Sequence, residues 1–415
     1  MSTSPSNVVP LPTPSSTTLE PPTGLVLDNP SAAPGSPPLF VLFTSDWLDL
    51  QSFIATAVQL PVTQGDFESK YGTFQDEQQV KDVVTAMKAI QALSQDFGDP
   101  TALIAQLAQN PAILQTDTAP AQVYTHIVWF ATKLFQAAQT FNQTFATFMD
   151  MLNPKNCGSP AECGAILTQV LTGPGGLQST AADMVTKCND LVAALAAFNL
   201  ALKPSTDELA SYTSSSGQFY IDVQSAITQD ISDVATYQQA ADDAYSQWKD
   251  YTIAAVTTSV GLMVLTGGAA WPFAAIAAGV LGDKATKARD AYNAACDQVH
   301  AAEGDEAKKI QLKVDLDSFN KSLTPVNTAA TNFMTTLQQV TGIWMNISSQ
   351  LDFIVKNFTP EQLGNLPFVI QALKLHNATS DWQIIGQAAQ QFTANSLVTY
   401  HLVSFGTPIP AQQAA

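Results

Sequence analysis

Apolar residues in the C-terminal half of the chain recur with spacings that alternate strictly between three and four: Leu316, Phe319, Leu323, Val326, Ala330, Phe333, Leu337, Val340, Trp344, Ile347, Leu351, Ile354 and Phe358. A 3.5-residue repeat keeps one stripe of a helix turned toward a partner, so this run predicts a long bundle or coiled-coil helix. Pro325 falls inside it and is expected to kink the rod. Upstream, Phe219, Val223, Ile227, Ile231, Val234, Tyr237, Ala241, Tyr245 and Trp248 repeat every three or four residues and predict a second, antiparallel rod. At 1.5 Å per residue, about 30 residues before the intervening segment and about 70 after it make rods of roughly 45 and 105 Å.

The intervening segment, residues 251–282, is 32 residues without a charged side chain. A single membrane crossing needs only about 20 apolar residues. Gly267-Gly268 and Trp271-Pro272 break the centre, and such pairs signal a turn. The segment therefore reads as a hairpin of two apolar arms and a bend. Ile253, Val256, Val260 and Met263 share a helical face, as do Phe273, Ile276 and Val280, whereas the Val and Thr content of the first arm favours a strand. Both forms stay open on sequence alone. The abundance of Ala, Gly and Thr suits a segment that tolerates a packed and a lipid-facing environment. The expected lipid-entering residues are Ile253, Val256, Val260, Leu262, Met263, Val264, Leu265, Trp271, Phe273, Ile276, Val280 and Leu281, with Gly267, Gly268 and Pro272 at the turn.

Helical periodicity also marks 80–97, 101–108, a phenylalanine-rich run over 123–152, 179–202 ending at Pro204, a short helix at 368–375, and 381–403. Residues 40–60 are expected to dock as a short helix or an extended arm. Turn signals fill 153–164 and 172–179, and no strand pair is expected outside the hairpin. Residues 1–40 hold ten prolines and twelve serines or threonines, which predicts a disordered tail. The fold class is all-α: an elongated bundle of about five long helices, over 41–250 and 283–405, with the apolar head of 251–282 inserted between two of them.

The chain has 415 residues, 13% charged, with a net charge of −18 and one arginine, Arg289. Nucleic-acid binding is excluded by the lack of a basic patch, and attraction to anionic headgroups is unsupported for the same reason. His126, His300, His376 and His401 are scattered and lie in no metal or catalytic motif. The cluster Gly173, Gly175 and Gly176 contains Pro174 and follows no strand, and carboxylate pairs such as Asp315 and Asp317 read as solvated charges. No enzyme, cofactor or metal site is read here. Cys157 and Cys163 flank a turn-rich loop and are candidates for a disulfide, while Cys188 and Cys296 read as buried thiols. No basic segment followed by an apolar run opens the chain, so export is expected by a route without a signal peptide, or by release on lysis.

Taken together, the rod from Thr206 to Asp250, the insertion 251–282, the rod from Asp283 to Phe358 and the terminal helix around Trp382 resemble the α-helical pore-forming toxins similar to cytolysin A, especially the components of haemolysin BL and the non-haemolytic enterotoxin. The resemblance covers roughly residues 70–400 and is architectural. It implies a soluble monomer that covers its hairpin, then releases it into a target-cell membrane while the rods assemble into a homo-oligomeric ring, or a hetero-oligomer with further toxin components. The alternative is an intracellular coiled-coil scaffold anchored permanently by the same hairpin.

Overall fold

The computed structural model describes residues 23–27, 38–151, 158–227, 235, 239, 243, 262–266, 269–271, 305–364, 378–396 and 399–403. Its helices are α1 Ser45–Ala57, α2 Gln64–Tyr71, α3 Glu77–Phe97, α4 Pro100–Gln109, α5 Val123–Met151, α6 Pro160–Thr172, α7 Leu177–Thr213, α8 Gln218–Ser225, α9 Asp305–Asn357, α10 Pro360–Leu363 and α11 Ala378–Asn395. The fold is all-α, with long helices dominating. Several starts are set by local chemistry that the sequence shows: Thr44, Thr63, Asp76, Asp99, Ser159 and Thr359 each accept a first-turn backbone N–H in a side-chain cap.

All thirteen apolar positions of the 316–358 repeat are buried. Thirteen side chains on one stripe outweigh a single proline, and α9 runs 53 residues through Pro325. A second stripe, Cys188, Leu191, Leu195, Phe198, Leu202, Thr206, Leu209 and Thr213, carries α7 through Pro204, where the sequence reading had ended a helix. Both prolines sit on exposed turns of their helices, where water can satisfy the carbonyl that loses its partner. Polar rungs align the two helices. Asn199 meets Thr331 at 3.5 Å, Asn327 donates to Thr206 at 3.2 Å, and Thr213 donates to Asn320 at 2.7 Å. As numbers rise on α7 they fall on α9, so the pair is antiparallel. The series continues on α8, where the Tyr220 hydroxyl donates to Asp317 at 2.6 Å.

The expected rod over 206–250 is interrupted. α7 stops at Thr213, Gly217 N–H donates to the Ser214 carbonyl at 2.7 Å in a turn, and α8 restarts at Gln218. Phe219, Val223 and Ile227 of its apolar stripe are buried, while Ile231, Val234, Tyr237, Ala241, Tyr245 and Trp248 lie outside the described residues. Two further expectations are corrected. The segment 153–164 is not all turn, because Ser159 caps α6 at Pro160. The terminal helix ends at Asn395 and the chain becomes a strand. The short helix expected over 368–375 lies outside the described residues.

Among the described residues, one helical stretch, Pro160–Thr213, is long and apolar enough by composition to cross a membrane, with an 18-residue window of mean hydropathy 1.3. Its apolarity has a simple source on α7. The inward stripe is Leu and Phe, and the outward positions Ala193, Ala196, Ala197, Leu200 and Ala201 replace the usual surface charges.

The residues group into two compact units. One comprises the described residues of 137–183 and 343–383. Its core is aromatic: Phe141 lies 4.5 Å from Trp382 and 5.7 Å from Trp344, and the two indoles are 5.6 Å apart. Here α6 and α10 approach through a matched pair of glycines. A Cβ on Gly164 would run into the Pro360 carbonyl, and one on Gly364 into the Pro160 carbonyl, so no larger residue fits at either position. The other unit comprises the described residues of 23–136, 184–342 and 384–403 and contains both sheets.

The smaller sheet corrects the tail boundary. β1 (Val26–Leu27) pairs antiparallel with β2 (Leu39–Phe40), and Val41 N–H donates to the Leu25 carbonyl at 3.1 Å. Leu25, Leu39 and Phe40 are buried, because Phe40 packs 5.4 Å from Phe392. Proline and serine content hid these few anchors.

Candidate functional site

The larger sheet is built on the apolar segment. β3 (Leu262–Thr266) and β4 (Ala269–Trp271) pair antiparallel, with Val264 opposite Trp271, Leu265 opposite Ala270 and Thr266 opposite Ala269. Only Gly267 and Gly268 separate the last pair in sequence. β5 (Thr399–Val403) pairs parallel with the other edge of β3, from Leu262 opposite Thr399 to Thr266 opposite Val403. The order is β4-β3-β5, so the most apolar strand is central and hydrogen-bonded on both sides.

Two helices of the same unit lie against this sheet: α1 beside β4 and α4 beside β5. α1 is buried around most of its circumference, with Trp47, Leu48, Leu50, Phe53, Ile54 and Ala55 all covered. An amphipathic surface helix buries one stripe, so α1 is an inner element. Trp47 anchors it, stacked 5.4 Å from both Tyr124 and Phe333 and 5.9 Å from Phe392. The end of α11, which leads into β5, is fixed to α5. The Tyr124 hydroxyl donates to the Ser396 carbonyl at 2.6 Å, and the hydroxyls of Thr132 and Thr393 are 3.5 Å apart.

Of the expected lipid-entering residues, the structure places Leu262, Met263, Val264 and Leu265 in β3 and Trp271 in β4. Ile253, Val256, Val260, Phe273, Ile276, Val280 and Leu281 lie outside the described residues, as do Gly267, Gly268 and Pro272. Sequence reasoning missed β5. Its signal was present in Val398, Thr399, Tyr400, Leu402 and Val403, a run rich in β-branched and aromatic residues, which was absorbed into the preceding helical pattern.

The remaining candidate chemistry resolves into packing. Cys163 is disulfide-bonded, with its partner outside the described residues. Cys188 is a buried free thiol, pushed up to about 12 by burial, and Thr341 hydrogen-bonds it. His126 is buried with its ring 5.4 Å from Trp129, and burial lowers its pKa to about 4 against the pull of Asp190.

Asp315 departs from expectation. It is buried, accepts a hydrogen bond from Tyr71 at 2.7 Å and faces Lys70 at 3.4 Å, and burial raises its pKa to about 6 against the opposing pull of Lys70. The cause lies in α2, whose C-terminal Lys70 and Tyr71 close over this part of α9. Beside it, Lys313 pairs with Asp317 at 2.7 Å, and Lys309 donates to the Thr73 carbonyl and sits 3.5 Å over the Phe74 ring. This is a buried polar clasp, and each of its charges has a partner.

Solved structures share this architecture. HblL1, a toxin component of Bacillus cereus, superposes with a TM-score of 0.55 at 14% identity, covering 85% of this chain and 94% of its own. SmhA, in its soluble form, belongs to the tripartite α-pore-forming toxin Smh of Serratia marcescens and gives 0.54 at 11% identity over 87% and 95%. The cytotoxin MakB of Vibrio cholerae gives 0.52 at 13% identity over 87% and 93%. The chain has the fold of these toxins. No protein-family model and no curated protein sequence matches it. The toxin fold is thus recognisable in the helix order and packing, at an identity too low for sequence matching to register.

Proposed function

We propose that this chain is a component of an α-pore-forming toxin, which passes from a soluble monomer to a membrane-inserted oligomer by releasing the apolar segment 251–282 from the body. The observation that carries this reading is the 32-residue uncharged run placed between long amphipathic helices, in a chain with the fold of HblL1 and SmhA. The body explains why the segment needs cover: an exposed apolar patch of that size would drive aggregation, and β3 is instead paired on both edges. In lipid the same backbone groups must be paired again, within a helix or with other strands.

Several components are favoured over a self-sufficient toxin. The net charge of −18 gives no electrostatic route to anionic lipid, and SmhA is one part of a tripartite toxin. Target-cell recognition then falls to a receptor or a partner chain. The protein acts after leaving the producing cell.

Purified chain mixed with dye-loaded liposomes or erythrocytes, alone and with a second chain from the same source, tests this directly. Soluble protein that partitions into the membrane fraction and releases dye, alone or synergistically, supports the reading. A protein that requires detergent before any membrane is added would favour the permanently anchored scaffold instead.

A further inference from the structure

One of the two strands that hold β3 can travel with it and the other cannot. β4 follows β3 after two residues, so their pairing survives when the hairpin moves as a unit. β5 comes from the far end of the chain and belongs to the body. Ser396 is bound through its carbonyl to the Tyr124 hydroxyl at 2.6 Å, and Phe392 packs against Trp47 and Phe40. From Ser396 to Thr399 the chain takes three peptide steps, about 11 Å at full extension. That is short of a hydrocarbon core about 30 Å thick.

We propose that β5 is a latch: its parallel pairing with β3 holds the hairpin in the soluble state, and this pairing has to break before the hairpin leaves the body. The inference rests on the insertion reading above and adds the site of control. Release on this account preserves the β3–β4 pairs and opens the edge of β3 from Leu262 to Thr266, which then presents unpaired backbone groups to whatever receives the hairpin. Exposing that edge before a membrane or a second copy is at hand would invite aggregation, so the latch also protects the monomer.

Two crosslinks that share one residue separate the latch from the hairpin itself. Thr266→Cys with Val403→Cys joins β3 to β5, and Thr266→Cys with Ala269→Cys joins β3 to β4. Paired strands lie about 4.8 Å apart, within the span of a disulfide. Each double variant is compared with itself, oxidised against reduced, so that side-chain effects cancel. The wild type under the same reductant controls for the disulfide at Cys163. The β3–β5 crosslink is expected to slow dye release at least tenfold, with recovery on reduction, and the β3–β4 crosslink to change it less than twofold. Full lysis by the crosslinked β3–β5 protein overturns the latch, and so does equal inhibition by both crosslinks.

If the wild type releases no dye under any condition, the insertion reading has failed, and the latch is decided in solution. Alternate residues of a strand point their N–H groups to the same neighbour, so between them Tyr400→Pro and His401→Pro remove one that faces β3. At least tenfold faster hydrogen exchange over 262–266 in one variant, with α9 unchanged, supports the latch. Unchanged exchange in both variants overturns it.

Discussion

The α9 stripe and the β4-β3-β5 sheet are both apolar, yet they are held in different ways. Twelve side chains of α9 from Leu316 to Ile354, and Phe358 just past its end, are buried, and each Leu, Ile or Phe contributes about 1.5–3 kcal/mol relative to exposure. The sheet depends on backbone pairing over strands of three to five residues, where each net hydrogen bond contributes about 0.5–1.5 kcal/mol. A helix stripe loses nothing until the whole helix moves. A short strand can be unpaired locally while the rest of the molecule stays folded, so the body and the hairpin separate in stability.

That contrast is broken most severely at Trp344, which lies in the aromatic cluster with Phe141 and Trp382. Trp344→Ala is expected to lower unfolding free energy by about 3–5 kcal/mol, seen as an earlier midpoint in chemical denaturation. Val264→Asp in β3 should show the opposite signature. A carboxylate at the bilayer centre costs about 2.5–3.5 kcal/mol on insertion scales, so dye release should fall roughly a hundredfold while the α-helical denaturation midpoint stays near wild type. Loss of the folded body in this variant would mean that β3 is a structural core and not a releasable one.

Asp315 sharpens the comparison on the helical side. Its folded pKa of about 6 lies above the ordinary 3.8, so the native state binds more protons than the unfolded chain between these values. Its contribution to stability is therefore best below about pH 4 and declines as pH rises through 6. The full change is on the order of 3 kcal/mol. Asp315→Asn should remove this slope, measured as denaturation midpoints at pH 4.5 and 7.5; an unaltered slope would assign it elsewhere. Smaller again is Thr359→Ala, which removes the hydroxyl that accepts from the Gln362 N–H and leaves the backbone half of the capping box in place. It should cost about 1 kcal/mol, without effect on lysis.

The legibility of the chain follows the same division. The α9 stripe could be read because its signal is periodic and lies within one segment. α7 was cut short at Pro204 because proline is a strong local signal, whereas the buried Thr206, Leu209 and Thr213 that carry the helix onward are a weak one. The buried Asp315 reads as a solvated charge in sequence because what covers it, Lys70 and Tyr71, comes from α2, far away along the chain. β5 was missed for a related reason. A strand is defined by its partner, and the partner of Thr399–Val403 lies in the hairpin, with no local mark to announce the pairing. In the tail, three buried residues, Leu25, Leu39 and Phe40, are too few to alter a composition of proline, serine and threonine.

The two prolines of the antiparallel pair have a mechanical meaning. Asn327 donates to Thr206, and Pro204 and Pro325 each lie two residues before one member of that rung. Each removes one backbone bond from its own helix, and because the helices are antiparallel the two missing bonds lie on opposite sides of the rung, centred about 12 Å apart along the axis. One notch in a rod of paired bars is braced by its intact neighbour, and two notches staggered by about two turns are each braced in this way. The stagger spreads the weakness over both sides of the rung instead of gathering it into one joint, so the antiparallel pair keeps a stiff bar beside each proline.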